Sequence, residues 1–398
     1  MERKSSIPLG ILCSVSGTYG SIGRTMLSGA LLAVNEIAED PTYDFSFRPL
    51  ARDPEGSLAR YFSLSQELLM EHAVTHVVGC YTSSSRKEVV PLFERSNALL
   101  WYPSHYEGFE CSENVIYVGA SPNQHLAPLS DYMMSTHGKR IYAIGSDYVW
   151  SWESNRVMRE IAESRGGRLL AERYVPVGAT DVKRIVEEIR ALKPDFVFSS
   201  LIGASVPALL HGNVESLCEA HIPLADAPPI ASCNLCEMGL QAVRAEARVG
   251  HICSSVYFQS IESATNRAFV ERYRSRYGSA SITSADGEAS YIAVHLLAQA
   301  IRAAGTSNVN RVREIVSTCR LDAPQGPVRI DPENQHSYLT PRLGRSMKNG
   351  QFEIMYTADG PVKPDPYLVW FDAAPDADGS RGEKRLRALS PALAGAVR

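Results

Sequence analysis

The chain has 398 residues, of which 44% are hydrophobic and 21% charged, and carries a formal net charge of −4. That length exceeds one ordinary core and suits two domains or lobes, while the composition is that of a globular protein and argues against gross disorder. The charge balance argues against a large nucleic-acid face on this chain, and no stretch reaches the roughly 18 apolar residues needed to span a bilayer.

The amino terminus, MERKSSIPLGILCSVSG, opens with charges, but its apolar run from Ile7 to Val15 is broken by Pro8 and Gly10. It reads as a first strand rather than a signal peptide. Eight cysteines (Cys13, Cys80, Cys111, Cys218, Cys233, Cys236, Cys253 and Cys319) lie mostly in apolar segments, where a free thiol behaves as a small hydrophobe. Scattered thiols without an export signal suit a reducing compartment. The expected location is cytoplasmic, or periplasmic if the start codon is misassigned.

A glycine-rich turn, Ser16 to Gly23, follows the first strand and opens a helix to about Glu39. Gly17, Gly20 and Gly23 miss the G-x-G-x-x-G spacing, and no G-K-[ST] follows, so a plain strand-to-helix turn is preferred over a nucleotide loop. Strand Phe45–Ala51 leads through Asp53-Pro54-Glu55-Gly56 to a helix from Leu58 to about Glu71. Strand Val74–Cys80 ends in Tyr81-Thr82-Ser83-Ser84-Ser85, a helix follows, and strand Ala98–Trp101 ends in Tyr102-Pro103-Ser104. A short strand, Val115–Val118, closes this series.

The βα rhythm then restarts with a helix near 124–136 and strand Arg140–Gly145, whose tip is Ser146-Asp147-Tyr148. A helix over about 152–164 and strand Arg168–Val175 come next. Val182, Ile185, Val186, Ile189 and Leu192 predict an amphipathic helix over 181–192. Strands at 195–201, 229–233 and 250–258 complete the second series. Helices dominate 265–319, and β texture follows at 327–330, 337–343 and 351–356. Two βα series of similar size predict an α/β chain with two doubly wound parallel-sheet lobes. The polar stretch 374–398 is expected to be a disordered tail.

In an open α/β sheet, ligands sit beyond the carboxyl ends of the strands. Here two strand ends deliver Tyr and Ser, and neither tip itself carries an acid, a base or a metal ligand. This suits a neutral, planar, polar guest and a binding site rather than a catalytic one.

The runs GCYTSSSRKEVVP, YPSHYEGFE, GASPNQHLAPL, GSDYVWSWESN, LDAPQGPVRI and PDPYL, in this order, resemble the amide- and urea-binding branch of the type I periplasmic-binding-protein family. The similarity spans about Leu9 to Val369 and is greatest to the amide sensors that regulate bacterial aliphatic amidase operons. It implies two α/β lobes joined by three crossovers, near 120–122, 254–257 and 323–327. One lobe would hold 1–121 and 255–325, the other 122–254 and 326–373. Helices 265–319 would then return to the first lobe and the terminal β segment to the second.

By motif, the resemblance implies ligand contacts at Tyr81, Ser83, Tyr102, Ser104, Tyr148 and Trp150, with Thr82, Gly203, Ser205 and Cys233 as further wall positions. A primary amide offers one acceptor oxygen and an NH₂ donor, which hydroxyls and backbone groups satisfy without charge. Trp150 stands where the family has Tyr or Phe, and Ser151 replaces a Pro. The implied function is a non-enzymatic sensor of short aliphatic amides or urea that controls an RNA-binding antiterminator partner. The alternative is the substrate-binding component of an ABC transporter for urea, amides or branched-chain amino acids. A homo-oligomer is compatible with either, and neither calls for a cofactor, a metal, direct nucleic-acid contact or a membrane.

Other chemistries compete less well. Cys233-x-x-Cys236 lacks the second Cys/His pair that closes a tetrahedral zinc site. His72 and His76 do not share a helical face, because a strand begins between them. No G-x-S-x-G elbow surrounds the serines, and His105 near Glu107 proves no triad. Asp147 and Glu107 are candidate buried acids that brace loops, and Arg86-Lys87 reads as a solvated helical face.

Overall fold

The computed structural model describes residues 4–369, so the expected tail at 374–398 lies outside the described residues. The elements begin with β1 (Ser5–Leu12), α1 (Gly20–Glu39), β2 (Phe45–Arg52), α2 (Leu58–Gln66), β3 (His76–Gly79), α3 (Ser83–Arg95), β4 (Leu99–Tyr102) and β5 (Val115–Tyr117). They continue with α4 (Pro122–Thr136), β6 (Arg140–Ser146), α5 (Val149–Ser164), β7 (Arg168–Val175), α6 (Lys183–Leu192), β8 (Phe196–Ser200), α7 (Ser205–Glu219), β9 (Ile230–Ser232), α8 (Glu237–Gln241) and β10 (Ile252–Ser255). The chain then forms α9 (Ala264–Tyr277), α10 (Ala285–Ala304), α11 (Val309–Val316), β11 (Leu321–Ala323), β12 (Gly326–Ile330), β13 (Ser337–Tyr338), β14 (Arg342–Ser346) and β15 (Phe352–Thr357). The helix expected to reach Glu71 does so, but its last turn, Glu67–Glu71, is wound as a π-helix.

Among the described residues, the first compact unit contains Lys4–Ser121, Val256–Thr340 and Gly360–Pro366. Its main sheet has the order β2-β1-β3-β4-β5, with every pairing parallel. The central strands read as continuous apolar runs because both faces are covered; all four residues of β4, LLWY, are buried. Val77, Leu100, Val115, Val89 and Phe93 share one core cluster beneath α2 and α3. On the other face α1 packs on α10 at close range. Gly29 and Gly287 allow it, since a Cβ on Gly29 would lie 2.0 Å from the Gly287 carbonyl oxygen. Thr25 and Ser284 share a 2.6 Å hydroxyl–hydroxyl bond across the same contact.

The boundary expected at 325/326 falls later. β11 and β12 form an antiparallel hairpin around Pro324-Gln325, with Ala323 opposite Gly326, and β12 pairs on with β13. Glu288 in the first turn of α10 accepts from both the backbone N–H and the side-chain amide of Gln325, at 3.1 and 2.9 Å. Leaving the unit at 325 would break this hairpin. Residues 326–340 therefore stay in the first unit, and the chain passes to the second after Thr340.

Among the described residues, the second unit contains Pro122–Ser255, Pro341–Asp359 and Tyr367–Val369. Its seven-stranded sheet has the order β15-β14-β10-β9-β8-β6-β7. The five strands β6 to β10 are parallel, and β14 and β15 add an antiparallel edge. Leu126, Leu129, Met133, Ile141, Met158, Phe196 and Phe198 form its core with Ala231 and Leu343. Counted within each unit, both parallel sheets follow the order 2-1-3-4-5. The strand order reverses between β1 and β3 in the first unit, and between β6 and β8 in the second. Such switch points are where open α/β sheets leave a crevice beyond the strand ends.

Candidate functional site

At the first unit's switch point, β3 ends in an unusual turn. Gly79 runs so close to β1 that a Cβ there would lie 2.3 Å from the Leu12 carbonyl oxygen. The next residue, Cys80, is buried and left-handed (φ 60°), a conformation that costs a non-glycine residue free energy and recurs at functional sites. The Cys80 N–H donates to Leu12 O at 3.0 Å, which anchors the turn to β1. It delivers Tyr81, half-buried, against the Tyr19 ring at 5.7 Å between centroids. Tyr19 lies beyond β1, so the two strand ends of the switch point present an aromatic pair.

Thr82 caps α3: its hydroxyl accepts from the Ser85 N–H at 3.2 Å and donates to Ser85 Oγ at 2.8 Å. The cap turns the first backbone N–H groups of α3 toward the strand ends, where the helix dipole favours a partial negative charge.

The other predicted contacts in this unit are buried and already bonded. Ser83 Oγ donates to Glu107 Oε2 in a very short bond. Tyr102, fully buried, donates its hydroxyl to the Tyr81 carbonyl at 2.8 Å and so braces that turn from below. Ser104 Oγ donates to Asp286 Oδ1 at 2.7 Å. Sequence reasoning placed no acid at these tips. The structure supplies two, Glu107 from the loop after β4 and Asp286 from α10, some 180 residues further along the chain.

Arg86 is not on a solvated face. It is fully buried, with Nε 2.7 Å from Glu110 Oε1 and Nη2 3.3 Å from Glu107 Oε1. Its guanidinium lies 4.6 Å from the ring centroids of both Tyr102 and Tyr106, a geometry in which ring quadrupoles stabilise a cation. Beyond it Tyr106, Tyr117 and His336 stack, with 4.0 Å between the Tyr117 and His336 rings. Burial opposes the Arg86 charge, but Tyr102, Glu107 and Glu110 outweigh it and hold the guanidinium protonated. The phenols of Tyr106 and Tyr117 are pushed well above their usual range, chiefly by burial.

In the second unit, the β6 tip follows the same plan. Ser146 Oγ accepts from the Ile202 N–H at 3.0 Å, tying the ends of β6 and β8 together. Tyr148 sits at the N-cap of α5 in extended conformation, and Trp150 is buried in the first turn. Ser151 donates to the Ser200 carbonyl at 2.7 Å. Gly203 takes the left-handed φ of 63° that turns β8 into α7. Ser205 opens α7 with a buried hydroxyl that has no hydrogen-bond partner among the described residues. Asp147 is exposed, not buried, and accepts from the Trp152 indole at 3.1 Å.

Cys233 packs in the core cluster with Ala231, Ile252 and Leu343. Burial first, and then Cys253, pushes its thiol well above the usual range, which makes it a poor nucleophile. Among the described residues no group of three or more His, Cys, Asp and Glu side chains is suited to a metal. Within the same limits, no helix is long and apolar enough to cross a membrane.

The switch-point pair Tyr19–Tyr81 was only half legible: the residues after β1 are marked by glycines and hydroxyls, but strand order decides that they lie beside β3. Glu107 reads from the sequence as a buried acid and is buried here, whereas Arg86 reads as solvated and is not. Asp286 had no signal.

Known proteins share this architecture. A Leu/Ile/Val-binding protein homologue of Brucella suis is 22% identical over 337 residues, covering 83% of this chain and 85% of the relative. A solute-binding protein of an ABC transporter from R. palustris, solved with 4-hydroxybenzoate, matches with a TM-score of 0.79 at 18% identity, over 92% of this chain and 99% of that one. The substrate-binding protein of a branched-chain amino acid transporter from Streptococcus pneumoniae, solved with isoleucine, gives 0.77 at 20% identity, over 90% and 100%. The model of the periplasmic binding protein domain family matches residues 7–372. With two doubly wound units and that match over almost its whole length, the chain belongs to the periplasmic binding protein domain family and has its type I fold.

Proposed function

We propose that this protein is a non-enzymatic solute-binding protein whose first unit takes a small polar molecule at the β1/β3 switch point. The observation that carries this reading is the strand-end assembly itself: the Tyr19–Tyr81 pair beside the Thr82-capped start of α3, on a turn braced by Tyr102. Aromatic rings supply an apolar wall, and helix N–H groups supply polar tips. Tyr148, Trp150 and the Ser205 hydroxyl are candidates for the same role in the second unit.

The relatives named above favour delivery of the solute to an ABC-type permease. A second reading is a sensor of short amides or urea acting on an antiterminator, and one observation bears on the reducing compartment it would need. Cys111 and Cys218 are exposed thiols, which an oxidising compartment would leave open to oxidation.

Thermal denaturation with propionamide, urea, leucine and 4-hydroxybenzoate tests both. A true ligand at 100 times its Kd adds about 2.7 kcal/mol of stability, which is read as a clear rise in Tm. A rise with leucine or 4-hydroxybenzoate and none with the amides selects the transport reading. The reverse, with the protein found in the cytoplasmic fraction, selects the sensor. No rise with any of the four sinks the proposal for these solute classes.

A further inference from the structure

A surface groove of the first unit is lined by none of the strand-end residues. It encloses about 700 Å³ between the turn at 259–262 and one side of α9, with the buried side chains of Ile261 and Val270 as an apolar floor. Its charged residues are Glu262, just before the helix, and Arg267, Glu271 and Arg274 on it. Spacings of four and three residues put the last three on one stripe of α9, and all four are exposed. None has an ion-pair partner among the described residues; Arg274 gives only its Nε–H, to the Ser281 carbonyl at 3.4 Å. Arg272, on another side of the same helix, is paired, with Nε 2.7 Å from Glu36 Oε1. Within the stripe, Arg267 precedes Glu271, the order that gives the weaker i,i+4 pair.

The charges of Glu262, Arg267, Glu271 and Arg274 alternate from negative to positive, so the row read backwards is its own opposite. Laid antiparallel on a copy of itself, it sets Arg267 against Glu271 and Glu262 against Arg274, and a two-fold axis beside Val270 makes each pair twice. We infer that this face of α9 is an interaction surface for a second copy of this chain, paired antiparallel across a two-fold axis with each α9 along the other's groove. The pairing covers Val270 and Ile261, and antiparallel helix dipoles attract. A purely acidic or purely basic partner would meet repulsion at half of these charges, whereas the second copy meets none. The 14 residues of α9 give about 20 Å of helix, a contact below the roughly 1,200 Å² of a stable interface, and exposed ion pairs add little each. The dimer is therefore weak and salt-sensitive, and the charges set its partner and direction.

Sedimentation of the full chain at low salt, from about 10 to 300 μM, reads the association. The wild-type protein is expected to dimerise, with affinity falling at least tenfold as salt rises to about 0.5 M. Arg267→Glu makes positions 267 and 271 both negative, and Glu271→Arg makes both positive, so each variant alone should lose at least tenfold in affinity. Mixed in equal amounts, the two variants are complementary at every 267–271 pair and should form a heterodimer of wild-type strength. The double variant, with both changes on one chain, should self-associate again. Damage to the fold would not be repaired by mixing, so recovery reports the contact itself. A wild-type chain that stays monomeric throughout, or a dimer that neither reversal weakens, overturns the inference. Loss without recovery in both the mixture and the double variant overturns it equally.

Discussion

His76 and His336 are buried in the first unit, and each is depressed by burial from 6.5 to about 4. An unfolded chain binds a proton at each near pH 6.5, while the folded chain does so only near pH 4. Their contribution to stability is therefore complete above pH 6.5 and is lost as pH falls through about 4. Glu110 extends the loss. Burial alone would raise its carboxyl, but Arg86 and Lys87 outweigh that effect and hold it at about 2 instead of 4.5. This carboxylate contributes about 3 kcal/mol at neutral pH that disappears between about pH 4.5 and 2. Urea denaturation should show stability falling most steeply between pH 6.5 and 4, where two histidines titrate, and then continuing to fall less steeply toward pH 2 as Glu110 protonates. His76→Phe should flatten the first part of the curve; a wild-type curve already flat between pH 6.5 and 4 would contradict the burial of both histidines.

At the scale of elements, the closest contact is that of α1 with α10. Gly29→Ala drives a methyl group toward the Gly287 carbonyl oxygen, and backbone on both sides leaves nothing flexible to give way. A loss of about 1–3 kcal/mol is expected, read as a lowered Tm by calorimetry; an unchanged Tm would mean that the helices can separate freely. Elements with strong local patterns were legible in the sequence. The stripe at 181–192 gave α6, and the run before Tyr81 gave β3. The hairpin at Pro324-Gln325 was not, because the pairing of Ala323 with Gly326 and the grip of Glu288 on Gln325 are decided by distant packing. The site behaved alike. The hydroxyl tips Ser83 and Ser104 follow from strand and turn composition, and Glu107 reads as a buried acid, whereas Asp286 on a distant helix leaves no sign in the sequence. Arg86 looked solvent-facing because a charged residue in the first turn of a helix usually is, and only the rings of Tyr102 and Tyr106 give it a place inside.

For the whole molecule, each unit is assembled from segments far apart in sequence, the first from the chain up to Ser121, Val256–Thr340 and Gly360–Pro366. A fragment ending at Ser121 keeps the entire parallel sheet but loses α10, the cover for the apolar face of α1. It should fail to melt cooperatively when followed by circular dichroism, while the same fragment joined to 256–340 through a short linker should recover a sharp transition. A cooperative melt from the short fragment alone would show that the sheet and its first three helices suffice. Family membership was legible from several short runs in one order, most of which are strand ends or helix starts whose residues are fixed by turn geometry.

The repeated 2-1-3-4-5 order has a consequence for descent. Each unit holds its strand ends with bonds of its own: Ser83 to Glu107 and Ser104 to Asp286 in one, Ser146 to Ile202 and Ser151 to Ser200 in the other. A substitution in one set, at Ser151 of the second unit for example, leaves the anchoring bonds of the first intact. A lineage can therefore change the strand ends of one unit by small steps while those of the other keep their bonds from generation to generation.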